Sequence, residues 1–400
     1  MKLAERMSRI GTETAFEAAA RARALEATGR SVIHLEIGEP DFDTPRHIKD
    51  AAVRGLLDEG MTHYTAAEGI APLRQAIADD VRRWKGIEAL PDQVIVTPGA
   101  KPIMFYAMLA VVDEGDEVIY PNPGFPIYES MAEYVGGVAV AAPLREEREF
   151  RMDVEEVAGL VTPRTRMIVI NSPHNPTGSV MTPDDVRAVA DIANRHDLVV
   201  LADEIYGRLQ YDGEPLSIAT LPGMAERTIT LDGFSKTFAM TGWRLGYGIV
   251  PAWLAPTFSR LVINSVSCTN AFAQAGAIAA LTGPQDAADA MREEFIARRT
   301  LMVDGLNAIP GVSCVMPHGA FYVFPNLSSF GRSSTDIATH LLYDAGVCGL
   351  AGTAFGRHGE GYLRFSYANS RDNILAAVER IGGSLGRLER TGDLVTSSAG

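Results

Sequence analysis

Lysine is scarce in this 400-residue chain: five (Lys2, Lys49, Lys85, Lys101 and Lys236) stand against 31 arginines. The imbalance reads as genome composition, yet it makes each lysine easy to weigh. Cysteine is scarcer. Cys268, Cys314 and Cys348 are odd in number, widely spaced and form no CxxC, which excludes a disulfide framework and a cysteine-rich metal site and leaves them as buried small hydrophobes. No run reaches the roughly 18 apolar residues that a membrane span needs. The opening "MKLAERMSRIGTETAFEAAARARAL" carries charges where a secretion signal needs an apolar centre, so a cytoplasmic protein with no membrane partner is expected. Positive charge is in deficit, with a net −14 and no basic cluster longer than "RRWK" at Arg82 to Lys85. That is no footprint for nucleic acid. The partners expected are small molecules and a second copy of the chain.

The composition is 46% hydrophobic and 22% charged, enough for a large core and two domains. Between about 90 and 250, short Val- and Ile-rich runs alternate with amphipathic helical patterns: "QVIVTPG", "DEVIYPNPG", "RMIVINSP", "LVVLADE", "TITLDGFSK" and "RLGYGIV". This predicts βαβ units and an α/β fold, a mostly parallel mixed sheet covered by helices on both faces. In such sheets ligands gather at the carboxyl ends of the strands. A long helical pattern, "PQDAADAMREEFIARRTLMVDGLNAI", then leads to "GAFYVF", a further helix, "GYLRFSYA" and a terminal helix. That is the pattern of a smaller α+β domain, joined by the N-terminal helix and the strand "VIHLEIG". The expected division is 46–284 for the large domain and 1–45 with 285–390 for the small one, leaving 391–400, "TGDLVTSSAG", as a disordered tail.

Several polar signatures fall at predicted strand ends. Lys236, in "DGFSKTFAMTGWRLGY", lies among aromatic and small residues, where desolvation can make an amine a nucleophile for aldehydes; a buried, satisfied lysine is the plain alternative. Arg244 and Ser235 could anchor a phosphate. So could Gly99 and Ala100 at a predicted helix start, although such a turn is commonly a simple loop. Asp203 ends a buried strand and needs either a cationic partner or a role as a helix cap. Tyr206 follows on the same turn. Asn175, in "NSPHNPTG", belongs to a rigid turn or donates to a ligand. Phe125 is either core or a platform for an aromatic ring. Arg364, alternating with aromatics in "YLRFSYA", is either an ion-pair member or a bidentate carboxylate clamp. Arg292 sits in a charge-rich helix and reads as surface.

Taken in order, "EIGEPDFDTP", "HYTAAEGIAPLR", "VTPGAKP", "NSPHNPTG", "ADEIYG", "SKTFAMTGWRLGY", "GAFYVF" and "YLRFSYA" give a chain that resembles, over nearly its full length, the class I aminotransferases of fold type I. These depend on pyridoxal phosphate. The wording looks most like the bacterial subgroup that includes prokaryotic aspartate aminotransferases. The resemblance implies that Lys236 binds the cofactor aldehyde as a Schiff base and carries protons, that Asp203 pairs with the pyridine nitrogen, and that Tyr206 and Asn175 reach the ring hydroxyl oxygen. It implies that Phe125 stacks on the ring and that Gly99, Ala100, Ser235 and Arg244 hold the phosphate, with Lys101 at the border. Tyr64 would reach that phosphate from the partner subunit of a homodimer. Arg364 would clamp the substrate α-carboxylate, helped by Asn175 and the backbone of Gly38. No metal is implied.

Two departures stand out: many relatives have serine where this chain has Gly233, and Trp or Tyr where it has Phe125. The implied reaction moves an α-amino group from an L-amino acid to a 2-oxo acid with ping-pong kinetics. A lyase or decarboxylase of the same fold, and a sensor built on it, are the alternatives. The side chain accepted is not fixed by these motifs: "NSVSCTNAF" at 264–272 holds no arginine to meet a distal carboxylate. The subgroup wording favours an acidic amino acid.

Overall fold

In the computed structural model, which describes residues 2–388, a seven-stranded sheet crosses the larger half of the chain. From edge to edge its strands are Val94–Thr97, Gly246–Ile249, Thr228–Gly233, Val199–Asp203, Thr165–Asn171, Glu117–Asn122 and Val138–Pro143. The last five are mutually parallel, and Gly246–Ile249 runs against both of its neighbours. The predicted α/β class with a mostly parallel mixed sheet is therefore correct. The reversed strand has a local consequence. It enters the sheet at the edge where the other six leave it, pairing Gly246 with Thr97 and with Gly233, so Arg244 joins the carboxyl edge.

All strands of this sheet except Val138–Pro143 are almost wholly buried because helices cover both faces, which is why they read as continuous apolar runs. The strand Val138–Pro143 is not among those predicted. It lies at the sheet edge, is largely half-exposed and consists of small residues, so it lacks a buried-strand signature; six residue pairs with Glu117–Asn122 make it a strand. The helix Pro183–His196 begins with a reciprocal Thr182/Asp185 cap and ends on a left-handed Asp197, as its sequence favours.

Beyond the sheet, the helices Asp286–Asn307 and Arg371–Leu385 pack together. Tyr322–Val323, Leu363–Ser366 and Leu350–Ala351 form an antiparallel sheet. The expected strand "VIHLEIG" contracts to Ile33–His34, which pairs in parallel with Val347–Cys348. Cys314 and Cys348 are buried as expected, whereas Cys268 is only half-buried. Among the described residues no helix is long and apolar enough to cross a membrane. The predicted tail, 391–400, lies outside the described residues.

Candidate active site

Eleven of the thirteen residues singled out from the sequence line one cleft of about 550 Å³ at the carboxyl edge of the large sheet. Of the other two, Gly99 lies against Arg244, and Tyr64 is 89% exposed and lines no part of this chain's own cleft.

Asp203 ends its strand in register with Asn171. Its carboxylate accepts hydrogen bonds from the Tyr128 hydroxyl at 2.6 Å and the Ile205 N–H at 3.2 Å. No cation among the described residues pairs with it. Burial is the main cause that pushes its pKa up to about 6, against the pull of those two hydrogen bonds. A buried carboxylate with neutral partners alone is costly when ionised, so the arrangement fits a cationic ligand atom. The helix-cap alternative fails in its simple form, since the turn after Asp203 continues only into the short helical segment Gly207–Leu209.

Lys236 follows the strand Thr228–Gly233 and donates to the carbonyl oxygen of Gly38. Its Nζ lies 5.9 Å from the Tyr206 ring centroid and 5.6 Å from that of Phe321. Although the residue still touches the open cleft, protein crowds its amine. That desolvation lowers the pKa to about 8; Glu39 opposes the shift, while Arg364 and Lys101 add to it. Near neutrality a useful fraction of the amine is therefore nucleophilic.

Arg364 is buried and has no carboxylate partner among the described residues. One Nη donates to Asn175 Oδ1 at 3.1 Å, the other to the carbonyl oxygen of Glu36, and Nε has no partner. The guanidinium lies 4.5 Å from the Tyr322 ring centroid and 4.8 Å from that of Phe355. Cation–π contact of this kind compensates part of the lost hydration, but the net charge stays available for an anion. Gly38 makes room for Tyr322: a Cβ there would come within 2.0 Å of the Tyr322 hydroxyl oxygen. The same hydroxyl lies 2.8 Å from that of Tyr206, and burial holds the Tyr206 phenol protonated.

A second anion-receiving region surrounds the start of the helix Lys101–Val111, whose first turn no side chain caps. Gly99 stands at φ +83, and a Cβ there would lie 2.2 Å from Arg244 Nη2, so both the turn and the close approach need glycine. Arg244 is exposed and left-handed, and among the described residues its side chain bonds only the Thr241 carbonyl. Ser235 is buried beside them. Free helix N–H groups, a hydroxyl and a guanidinium form a suitable receptor for a phosphate. Lys101 is paired with Glu13 and lies 5.3 Å from the Phe125 ring centroid.

Tyr128, Tyr322 and Glu13 belong to the site but were not selected from sequence. Tyr128 stands three residues after Phe125 in the same Pro-rich stretch, and Tyr322 lies within "GAFYVF"; their spacing carries no hint that one faces Asp203 and the other Arg364. Arg292 is only partly exposed, holding the Gln210 carbonyl at 2.8 Å, and takes no part in the cleft.

The family description "Aminotransferase class I and II" matches residues 30–381. An aromatic-amino-acid aminotransferase 2 of Thermococcus litoralis is 42% identical over 354 residues, 88% of this chain and 90% of the relative. An aspartate aminotransferase of Pyrococcus abyssi is 42% identical over 361 residues, covering 89% and 92%. In three dimensions, the aspartate aminotransferase from Rhizobium meliloti superposes with a TM-score of 0.93 at 38% identity, covering 97% of this chain and all of that one.

Proposed function

Because the chain belongs to the class I and II aminotransferases, enzymes that move amino groups between amino acids and 2-oxo acids with pyridoxal 5′-phosphate, we propose a division of labour among the residues of its cleft. The cofactor fits the donor set: an unpaired buried carboxylate for a ring cation, an amine of lowered pKa for an aldehyde, and an uncapped helix start with Arg244 for a phosphate. When bound, it supplies a carbon to which the amino group attaches and a protonated ring that accepts the electron pair left at the substrate Cα.

Asp203 holds the ring nitrogen protonated. Tyr206 and the Asn175 amide donate to the ring hydroxyl oxygen; Asn175 is oriented for this because its Oδ1 is already taken by Arg364. Phe125 covers a ring face. Gly99, Ala100, Ser235 and Arg244 receive the phosphate, with Lys101 at its border. Arg364 fixes the substrate carboxylate beside the Gly38 backbone and so presents the Cα to Lys236. The Lys236 amine then takes the Cα proton and returns it to the cofactor carbon. Gly233 adds no side chain to the phosphate group, and there is no room for one: a Cβ would lie 2.9 Å from the Gly246 Cα.

The single observation that carries this reading is that Asp203, Lys236 and Arg364 face one cleft and that none of them has an oppositely charged partner within ion-pair distance among the described residues. Its test is an absorbance titration of the protein with pyridoxal 5′-phosphate and each common L-amino acid, using wild type and Lys236→Ala. Conversion of the protein-linked cofactor band to the pyridoxamine band by some donors, absent in the variant, is expected. A band that forms and never converts would instead indicate a lyase, a decarboxylase or a sensor.

An acidic amino donor, aspartate or glutamate, is proposed, with 2-oxoglutarate as the acceptor when the donor is aspartate; the name of the Pyrococcus abyssi relative supports aspartate, and preferential conversion by phenylalanine or tyrosine would replace it. A homodimer is proposed in which Tyr64 of the partner subunit completes the phosphate group. The exposure of Tyr64, Val53, Leu57 and Ile263 supports it, and full turnover by a strictly monomeric sample in sedimentation would refute it. The two-domain division at 46–284 and 1–45 with 285–390 is supported by the confinement of the large sheet to residues 94–249; limited proteolysis should cut first near the two boundaries. A cytoplasmic location is supported by three free cysteines and is open to cell fractionation.

A further inference from the structure

Behind Asp203 lies a second charged cluster that none of the chemistry above uses. Lys85 ends the helix Ala71–Lys85, where the helix dipole favours a cation. Its ammonium bridges Glu204 Oε2 at 2.6 Å and Asp232 Oδ2 at 2.7 Å, with all three side chains largely buried. Both carboxylates are neighbours of Asp203: Glu204 follows it in the chain, and Asp232 follows Leu231, its partner in strand register. Three carboxylates therefore crowd two strand ends. A chamber of about 40 Å³ is bordered by Lys85, Asp203, Glu204 and Ser217.

The other groups nearby do not balance this charge. The Ser217 hydroxyl donates to Glu204 at 2.6 Å and the Gly233 N–H to Asp232 at 2.6 Å. The Tyr247 phenol beside Asp232 is held protonated, chiefly by burial. Arg208 is committed to Asp80 by bonds of 2.6 and 2.7 Å. Tyr128 and Tyr206, which face Asp203 from the other side, are neutral. Among the described residues Lys85 is the only cation in ion-pair contact with Glu204 or Asp232. Burial works against its charge, but the two carboxylates outweigh it and raise its pKa.

We propose that Lys85 is a positioning residue for amino transfer: by neutralising Glu204 and Asp232 it keeps Asp203 ionised for the ring nitrogen of the cofactor, without touching cofactor or substrate. This rests on the assignment of Asp203 to that nitrogen. The physical reason is the low local dielectric, in which unbalanced like charges a few ångströms away favour the protonated carboxyl. Glu204 and Asp232 already push Asp203 upward with Lys85 in place; without the ammonium their effect is unopposed. A protonated Asp203 offers the ring cation no counter-charge.

The test is the dissociation constant of pyridoxal 5′-phosphate from the full chain, read by absorbance from about pH 5 to about pH 8, for wild type, Lys85→Met, Lys85→Arg, Asp232→Asn and Asp203→Asn. Two groups weaken binding in acid: the Lys236 amine in the same cleft, protonated below about pH 8 in every variant alike, and Asp203, whose protonation near pH 6 adds a second limb. In Lys85→Met this second limb should move up by about one pH unit while affinity at the top of the range is kept, and Lys85→Arg should restore it. Asp232→Asn removes an anion with the ammonium still present, should move the limb down, and supplies a reading if Lys85→Met fails to fold. A limb that stays in place in both, or affinity lost by the same factor at every pH, would mean that Lys85 only braces the fold and would overturn the proposal. Asp203→Asn should abolish the limb; if it leaves the limb as in wild type, the Asp203 assignment falls, and this proposal with it.

Discussion

Arg364 and Arg244 line the same cleft in contrasting ways. Arg364 is buried, lies near two aromatic rings, and is held by Asn175 and the Glu36 carbonyl. Arg244 stands exposed on a left-handed turn, with one bond to a backbone carbonyl. The first is a receptor fully built within one chain, with little rotamer freedom left to lose. The second is unfinished, and Tyr64, exposed on the same chain, is the group proposed to complete it in a dimer. Under the proposed roles, a substrate that enters and leaves on every turnover would meet the rigid side, and a cofactor that stays would rely on a side assembled from two subunits.

Breaking the rigid side should have the larger effect. Arg364→Lys retains the charge but loses the planar fork, and kcat/KM should fall roughly 100-fold with cofactor affinity almost unchanged, as steady-state kinetics and an absorbance titration would reveal. Equal losses in both quantities would erase the distinction between the two arginines. Arg244→Gln should raise the cofactor dissociation constant about tenfold and flatten its salt dependence, because an exposed charge is screened where a buried one is not. The joint between the two sides is Lys236. With its pKa near 8, the neutral amine that captures the aldehyde predominates above that pH and is depleted below it, so the capture rate should rise about tenfold between pH 7 and pH 9 in stopped-flow absorbance. A rate flat across that window would mean that the amine is not desolvated as described. Tyr64→Phe is the mildest change, expected to weaken cofactor binding by a few-fold in the dimer.

The legibility of the site follows the same contrast. Asp203, Lys236 and Asn175 were readable because each ends a strand or opens a turn whose apolar run announces it. Tyr128 and Tyr322 were not, since an aromatic residue in a core-like pattern is the same symbol whether its hydroxyl meets a carboxylate or a lipid-like neighbour. The strand Val138–Pro143 escaped for a related reason: at a sheet edge, small half-exposed residues become a strand through pairing, with little local preference to reveal it.

The amino-acid order alone determined the alternation of buried strands with helices, the glycine turn at Gly99 and the few places where an isolated charge interrupts apolar sequence, because these depend on local periodicity and local backbone freedom. Tertiary structure decided which charges are paired. Lys85 and Lys236 are both lysines within two residues of an aromatic residue in the sequence. Folding places two carboxylates on the first and, among the described residues, a carbonyl on the second, and since electrostatic energy in a buried site depends on distances of a few ångströms between groups remote in sequence, only the assembled sheet makes one a counter-ion and leaves the other free for the nucleophilic role proposed for it.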